Sequence, residues 1–489
     1  MFLVIGALFA PINRGFSTGY TSPSVTKFVN NGILNVATGD VSLYGSLVFF
    51  GGMVGCLIAG PAMDKWGRKD VLFGCAIPQA LGWLLIAIFG DYWLAVITSR
   101  FFTGVGSAMV YSAYGTYIAE TVDSRRRGMM CGVCELCISM GTTAAYFLGI
   151  YLNNRYLALV GAALTLALML GMFSQNETPR WLVGKGYLKE AFRVLNLLRE
   201  GQSESDVNNE MDKIVARVCF NLLILFKKLK RVQRQLIICL PMMLLQGLCG
   251  QTAVSAFMKS IFKFSNMDDR SAEYASVYVG CLRIVTTVIA SFTVDRLGRR
   301  LLLIVGGTGQ AVSLIAMGWA FHIAKMNSSA LLFAGICCYL ACYSFGWGTV
   351  PSIILSEMYP QTIRAVASSA STFIGLLAGS LTILFFHPLV TALGESGAFY
   401  LFAVDCLAGA LYSYFILPET KSKSLESVEE SISNRTDEPT DTSAKELAVK
   451  YSFIGDTERE SMKLLAYSDA RDRKCYETCF DIPKSYTHK

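Results

Sequence analysis

The chain has 489 residues, of which 53% are hydrophobic and 16% charged, with a net charge of +7 and a mean hydropathy of +0.45. Soluble domains carry about 25% charged residues, so the composition excludes an ordinary water-soluble fold. It suits many membrane helices rather than one anchor.

About 20 apolar residues cross a bilayer as a helix. On that scale the apolar runs resolve into twelve spans: 2–25, 42–63, 71–90, 93–119, 129–151, 156–174, 235–260, 273–294, 301–323, 330–357, 365–388 and 397–417. Met1 leads straight into FLVIGALFA, which reads as a first transmembrane helix with no separate signal peptide. The expected fold class is an all-α membrane protein with twelve transmembrane helices in two pseudo-symmetric six-helix bundles. Residues 1–174 form the first bundle and 235–417 the second. Residues 175–234 form a polar linker, and 418–489 a polar, disordered tail rich in Ser, Thr, Asp and Glu.

Lysine and arginine set the orientation. Arg68, Lys69, Arg125, Arg126, Arg127, Arg296, Arg299, Arg300 and Arg364 follow even-numbered spans or precede odd-numbered ones, as do Lys227, Lys228, Lys230 and Arg231. Both termini, the linker and the tail are therefore expected in the cytosol. The sequon at Asn327 falls outside and those at Asn176 and Asn434 inside.

The linker reads as short amphipathic helices, with Leu188, Phe192, Leu195 and Leu198 at helical spacing. In the tail, Glu460, Leu464 and Leu465 resemble an acidic dileucine signal for sorting adaptors, although so short a pattern also arises by chance. The fifteen cysteines lie mostly in apolar runs, where they act as small hydrophobes. Cys131, Cys134 and Cys137 imitate metal-ligand spacing but have no histidine nearby, so packing is the reading, and Cys475 and Cys479 read as idle thiols. No nucleophile constellation, phosphate loop or metal set is visible. His322, His387 and His488 have no catalytic partner, so neither an enzyme, a cofactor nor a nucleic-acid partner is expected.

The chain is a duplication. GPAMDKWGRKD, Gly60 to Asp70, returns as VDRLGRR, Val294 to Arg300, placing Asp64 and Asp295 231 positions apart. Glu120 and Glu357 are 237 apart, and Glu177 and Glu419 are 242 apart. Two such halves imply a substrate site at mid-membrane on their interface, with transport by rocking. Asp64, Glu120, Asp295 and Glu357 are then candidates to pair with Arg68, Arg127, Arg299, Arg300 and Arg364 as a cytosolic gate network. Exposed pairs are worth about 0–1 kcal/mol each, enough to bias two states without locking either. Topology alone would explain the arginines but not the repeated carboxylates.

GCLIAGPAMDKWGRK, RFFTGVGSA, YIAETVDSRRRG, ETPRWL, VDRLGRR, SEMYPQTIRA and PETKSKSLE together resemble the sugar porter branch of the major facilitator superfamily. GYTSP, Gly19 to Pro23, looks most like the insect trehalose transporters and their vertebrate glucose-transporter relatives. The resemblance implies alternating access, a lipid bilayer and a small-molecule sugar as cargo. It also implies sugar contacts from helices 5, 7, 8, 10 and 11. In helix 7 it points to Gln246 and Thr252, with Gln251 added, whose amides suit sugar hydroxyls. In helix 10 Ser352 replaces the family's stacking tryptophan, and Trp347 is the candidate substitute. The helix-11 Asn-Trp pair is Gly375-Leu376.

Two departures add charge: Glu135 in helix 5 and Arg283 in helix 8. Ionisable groups at such depth are costly and face a cavity or a partner. They are expected to pair across the cavity, bracketing substrate, gating, coupling protons or serving structure alone. Coupled sugar porters carry an Asp in helix 1 where this chain has Ser17, which favours facilitated transport of trehalose or a hexose at the plasma membrane. Arg14 reads as lying near the outer mouth or as a misplaced helix start, and Met109, Tyr111 and Tyr114 as packing. A carrier of a non-sugar solute such as an organic ion, a proton-coupled symporter and a non-transporting sensor stand as alternatives.

Overall fold

The computed structural model describes residues 5–36, 39–122, 127–199, 206–208, 210–212, 214–215, 229–264, 267–323, 329–359 and 364–419. Helices dominate them and no strand occurs among them. In a bilayer core no water satisfies backbone groups, and helices bond their own. The sequons at Asn327 and Asn434, the signal at Glu460, Leu464 and Leu465, and Cys475, Cys479 and His488 lie outside the described residues. So do Arg125 and Arg126, and the side chains of Arg127, Asp295, Glu357 and Arg364.

Among the described residues ten helices are long and apolar enough to cross a membrane. Two further spans are hidden in that number by backbone breaks. Span 1 is split into Ile5–Gly19 and Thr21–Asn30, and spans 11 and 12 run together as Arg364–Phe415, bent at Gly394. Twelve spans result. Spans 2 to 6 are Asp40–Trp66, Arg68–Gly74 with Ala76–Phe89, Trp93–Thr121, Arg127–Tyr151 and Asn154–Phe173. Span 7 is Leu229–Leu248, Gln251–Ala256 and Met258–Phe264. Spans 8 and 9 are Asp269–Leu297 and Arg299–Ile323, and span 10 is Ser329–Phe345 with Val350–Met358. Leu57, Ile88, Leu170, Phe292, Val312 and Val404 stay exposed on the outside. In water so much apolar surface would drive association; in lipid it is ordinary solvent contact.

The duplication is visible in the backbone. Spans 2 and 3 are separated by Gly67 alone, at φ 108°, and spans 8 and 9 by Gly298 alone, at φ 91°. Glycine adopts that left-handed region without a steric cost, so both repeats of the Asp-x-x-Gly-Arg turn use it in the same way.

Close backbone approach explains much of the glycine content. A Cβ on Gly51 or Gly55 of span 2 would lie 2.1 Å and 2.3 Å from the carbonyl oxygens of Phe101 and Val105 in span 4. Gly104 of span 4 answers at 2.1 Å from the carbonyl oxygen of Val48. Small residues four apart let membrane helices touch main chain to main chain.

The two halves meet along spans 2 with 11 and 5 with 8. Gly60 lies against Val366 and Ser369, and Gly132 against Ser291. Both contacts bring the end of an even span beside the start of an odd one, so the basic clusters share one end of the bundle. At the opposite end the halves are tied. Tyr146 donates to the Ser255 carbonyl at 3.0 Å, Lys259 N–H donates to the Ser22 hydroxyl at 3.4 Å, and Gly45 packs against Phe257 and Ile383.

A second compact unit begins after Asn176. Its helices Pro179–Gly184 and Leu188–Leu198 share a core of Leu182, Val183, Ala191, Val194 and Leu195 with Val207, Met211 and Ile214. Leu188, Phe192 and Leu198 pack at its edge, the amphipathic face expected from sequence. Arg199 holds Glu210 through two bonds of 2.8 Å.

Candidate functional site

A cavity of about 90 Å³ opens between the halves, walled by spans 4 and 5 on one side and 10 and 11 on the other. It runs from Tyr111 and Glu135 at mid-span to Ala119, Met130, Leu355 and Ser368 near the charged end. With the opposite end tied shut, the molecule faces its charged end.

The lining is rich in hydroxyls: Ser112 and Thr116 in span 4, Ser352 in span 10, Ser368 and Thr372 in span 11. Thr116, Ser352 and Thr372 donate to carbonyls one turn back, which leaves their oxygens able to accept. Tyr111 also lines the cavity, where the sequence reading made it packing; Tyr114 borders the cavity but is buried with Met109 in the first half's core, both as expected. The signal for the missed wall was present: Ser112 and Thr116, and Ser368 and Thr372, sit four apart and so share a helix face.

Breaks in spans 7 and 10 shape the second half. Span 7 stops at Cys249, turns through Gly250 at φ 87°, and restarts at Gln251. A Cβ at Gly250 would meet Phe402 at 2.7 Å, so both conformation and space require glycine. Tyr339 satisfies the freed Cys249 carbonyl at 2.8 Å. Span 10 stops at Phe345 and restarts with Pro351 in its first turn. Gln246 donates to the Trp347 carbonyl in that break at 2.7 Å.

The other nominated residues divide. Ser352 and Glu135 line the cavity. Gln251 is buried and donates to the Ser255 hydroxyl at 3.0 Å, and the buried Thr252 hydroxyl has no partner among the described residues. Trp347 is 3% exposed, its indole N–H donates to the Leu303 carbonyl, and its ring packs on Gly307 and Gly409. It fills the wall between spans 9, 10 and 12 rather than the cavity.

Glu135 is 8% exposed, and the fields of Arg283 and Arg14 both reach it. No ion pair joins Glu135 to either arginine among the described residues. Arg283 sits 6.0 Å over the Tyr343 ring, with its Nε buried and unpartnered. Arg14 lies 4.0 Å over the Tyr111 ring and donates to the Ser107 carbonyl at 3.5 Å. Its place is therefore mid-span beside the cavity, not the outer mouth. Arg100, by contrast, is fully buried in the first half, over Tyr20 and Tyr44, and bonds the Thr21 hydroxyl and the Ser17 carbonyl.

At the charged end, Arg68 bonds Glu120 at 3.0 Å and approaches Asp64 at 4.0 Å, all within the first half. In the second half Glu419 accepts from the backbone N–H groups of Arg299 and Arg300, each at 3.1 Å. A carboxylate there satisfies orphan donors and offsets the positive helix end. Arg300 also donates to the Ser413 and Tyr414 carbonyls.

Twelve spans in two repeated halves around a central cleft define a carrier of the major facilitator fold. The family model described as "Sugar (and other) transporter" matches residues 3–432. The facilitated trehalose transporter Tret1 of Bombyx mori is 32% identical over 430 residues, 86% of this chain and 84% of that protein. Facilitated glucose transporter member 8 of solute carrier family 2, from Mus musculus, is 29% identical over 449 residues, 86% and 92% respectively. Among solved structures, the proton:xylose symporter XylE bound to 6-bromo-6-deoxy-D-glucose superposes with a TM-score of 0.78 at 21% identity, covering 88% of this chain and 98% of that one. The chain belongs to the sugar transporter family, whose members are multi-pass membrane carriers rather than enzymes.

Proposed function

We propose that this protein carries a sugar, trehalose or a hexose, down its gradient by alternating access between the two halves. The supporting observation is the hydroxyl-lined cavity between spans 4 and 5 and spans 10 and 11, closed at one end and approached from the other. Ser352, Glu135 and Arg283 meet the sugar in this reading, and Gln246, Gln251, Thr252 and Trp347 shape the broken helices behind it. The charged end faces the cytosol with both termini, in the plasma membrane. Asp64, Arg68 and Glu120, with Arg127, Asp295, Arg299, Arg300, Glu357 and Arg364, exchange partners there as the halves move. Glu460, Leu464 and Leu465 offer a sorting signal to adaptors.

Ser17 stands where coupled relatives carry an acid, which favours a uniporter. Uptake of labelled glucose and trehalose into proteoliposomes, with and without a proton gradient, tests this. Equilibrating flux that ignores the gradient is expected. Accumulation driven by protons would replace the uniporter by a symporter. Sugar binding without flux would replace it by a sensor.

A further inference from the structure

A neutral sugar does not account for the charges beside the cavity: Glu135 lines it, Arg14 lies behind its Tyr111, and Arg283 stands over Tyr343. Arg14 and Arg283 both act on Glu135, and Glu135, Arg283 and Tyr111 all act on Tyr343, so these groups from spans 1, 4, 5, 8 and 10 share one neighbourhood. Two guanidiniums, over Tyr111 and Tyr343, lie within electrostatic reach of one carboxylate. Arginine stays protonated in proteins, so the locality carries an excess positive charge.

No further carboxylate among the described residues is placed to offset it. Among the described residues the other mid-span carboxylate, Asp405 in span 12, sits with Gln310, Trp347 and Cys406 inside the second half, its own Oδ2 unpartnered. Arg100, the remaining mid-span guanidinium, is enclosed in the first half. An uncompensated charge at this depth is costly, and a carrier that keeps one gains from a cargo that neutralises it.

The donors also have capacity to spare. Arg283 donates no hydrogen bond among the described residues, and its buried Nε is unpartnered. Arg14 makes one long bond, to Ser107, and stacks on Tyr111. A planar guanidinium matches a carboxylate through two parallel bonds. Below these arginines, toward the charged end, the wall offers hydroxyls from Ser112, Thr116, Ser352, Ser368 and Thr372.

We propose that the cavity accepts a monoanionic sugar acid, a hexuronate or an aldonate, with its carboxylate on Arg283 and Arg14 and its hydroxyls on Glu135 and the hydroxyl wall. The inference rests on the sugar-carrier reading and deepens it. The loaded site is then neutral, and each turnover moves one negative charge.

The test uses the full chain in proteoliposomes, with labelled D-glucose as reporter and D-glucuronate, D-gluconate, acetate and chloride as competitors. Glucuronate or gluconate is expected to compete at least tenfold better than unlabelled glucose. Labelled glucuronate should enter faster at an inside-positive potential. In Arg283→Gln and Arg14→Gln the ratio of glucuronate to glucose competition should fall toward one, while Arg283→Lys keeps part of it. Glucose flux that glucuronate and gluconate do not inhibit overturns this inference and leaves the sugar carrier standing. So does competition by acetate or chloride equal to that by glucuronate. If neither glucose, trehalose nor a sugar acid is transported by folded protein, both readings fall.

Discussion

The side-chain amide of Gln246 donates to the backbone carbonyl of Trp347 at 2.7 Å, joining the break in span 7 to the break in span 10. Each break frees carbonyls that lipid cannot satisfy. One glutamine therefore serves the fold of the second half whatever it does for cargo.

Gln246→Ala should lower stability by about 1–3 kcal/mol, the cost of leaving a buried acceptor unmade. Sugar uptake should fall in the same variant. Thermal unfolding in detergent and initial uptake rates check both, and unchanged melting would show that the bond is dispensable.

Glu419 ties the end of the second bundle to the start of span 9. Glu419→Gln retains an acceptor but loses the charge, and Glu419→Ala loses both. The expected order of stability is wild type, then Gln, then Ala, the last costing about 0.5–2 kcal/mol by analogy with lost helix caps. A melting series in which Ala equals wild type contradicts the capping role.

Arg68 and Glu120 are each 12% exposed, so their bond is not a freely hydrated surface pair. Arg68→Ala, Glu120→Ala and the double variant form a cycle. A coupling of about 0.5–3 kcal/mol is expected for partners in contact. Additive losses would mean that the two act separately.

Most of the helix pattern was legible because an apolar run of bilayer length is a strong signal. Where it blurred, the backbone departs from a regular helix: at Tyr20 in span 1, at Gly250 in span 7 and between Phe345 and Val350 in span 10. Spans 2 and 3 also read as separated by a turn over 64–70 closed by Gly67, whereas Gly67 alone parts them. The repeated Asp-x-x-Gly-Arg turn was legible because it needs both charge and a left-handed glycine. The cavity wall was less so. Tyr111 lies on a span whose other faces pack, and nothing in its type distinguishes a wall from a core. Trp347 shows the converse: an aromatic on the right helix is turned inward by its bond to Leu303. Arg14 was misplaced because depth counted from one end of a helix does not reveal which neighbour it faces.

Glycines at helix contacts give a sharp contrast. Gly55→Leu should yield no monodisperse protein, since even a Cβ there would sit 2.3 Å from a carbonyl oxygen. Gly55→Ala should be destabilised by about 1–3 kcal/mol, in line with overpacking elsewhere. Gly74→Ala, which meets nothing within 4 Å, should behave as wild type. Size-exclusion profiles of fluorescent fusions distinguish the three.

The turns at Gly67 and Gly298 have a mechanical corollary. A link of one residue has no slack, so the rods on either side cannot slide past each other lengthwise. Any tilt of span 2 is handed to span 3, and any tilt of span 8 to span 9, with the pivot at the same level of the molecule. Each repeat thus contains a short-armed lever whose fulcrum is a single atom-poor residue, and whatever travel the carrier needs is gained by swinging rather than by stretching.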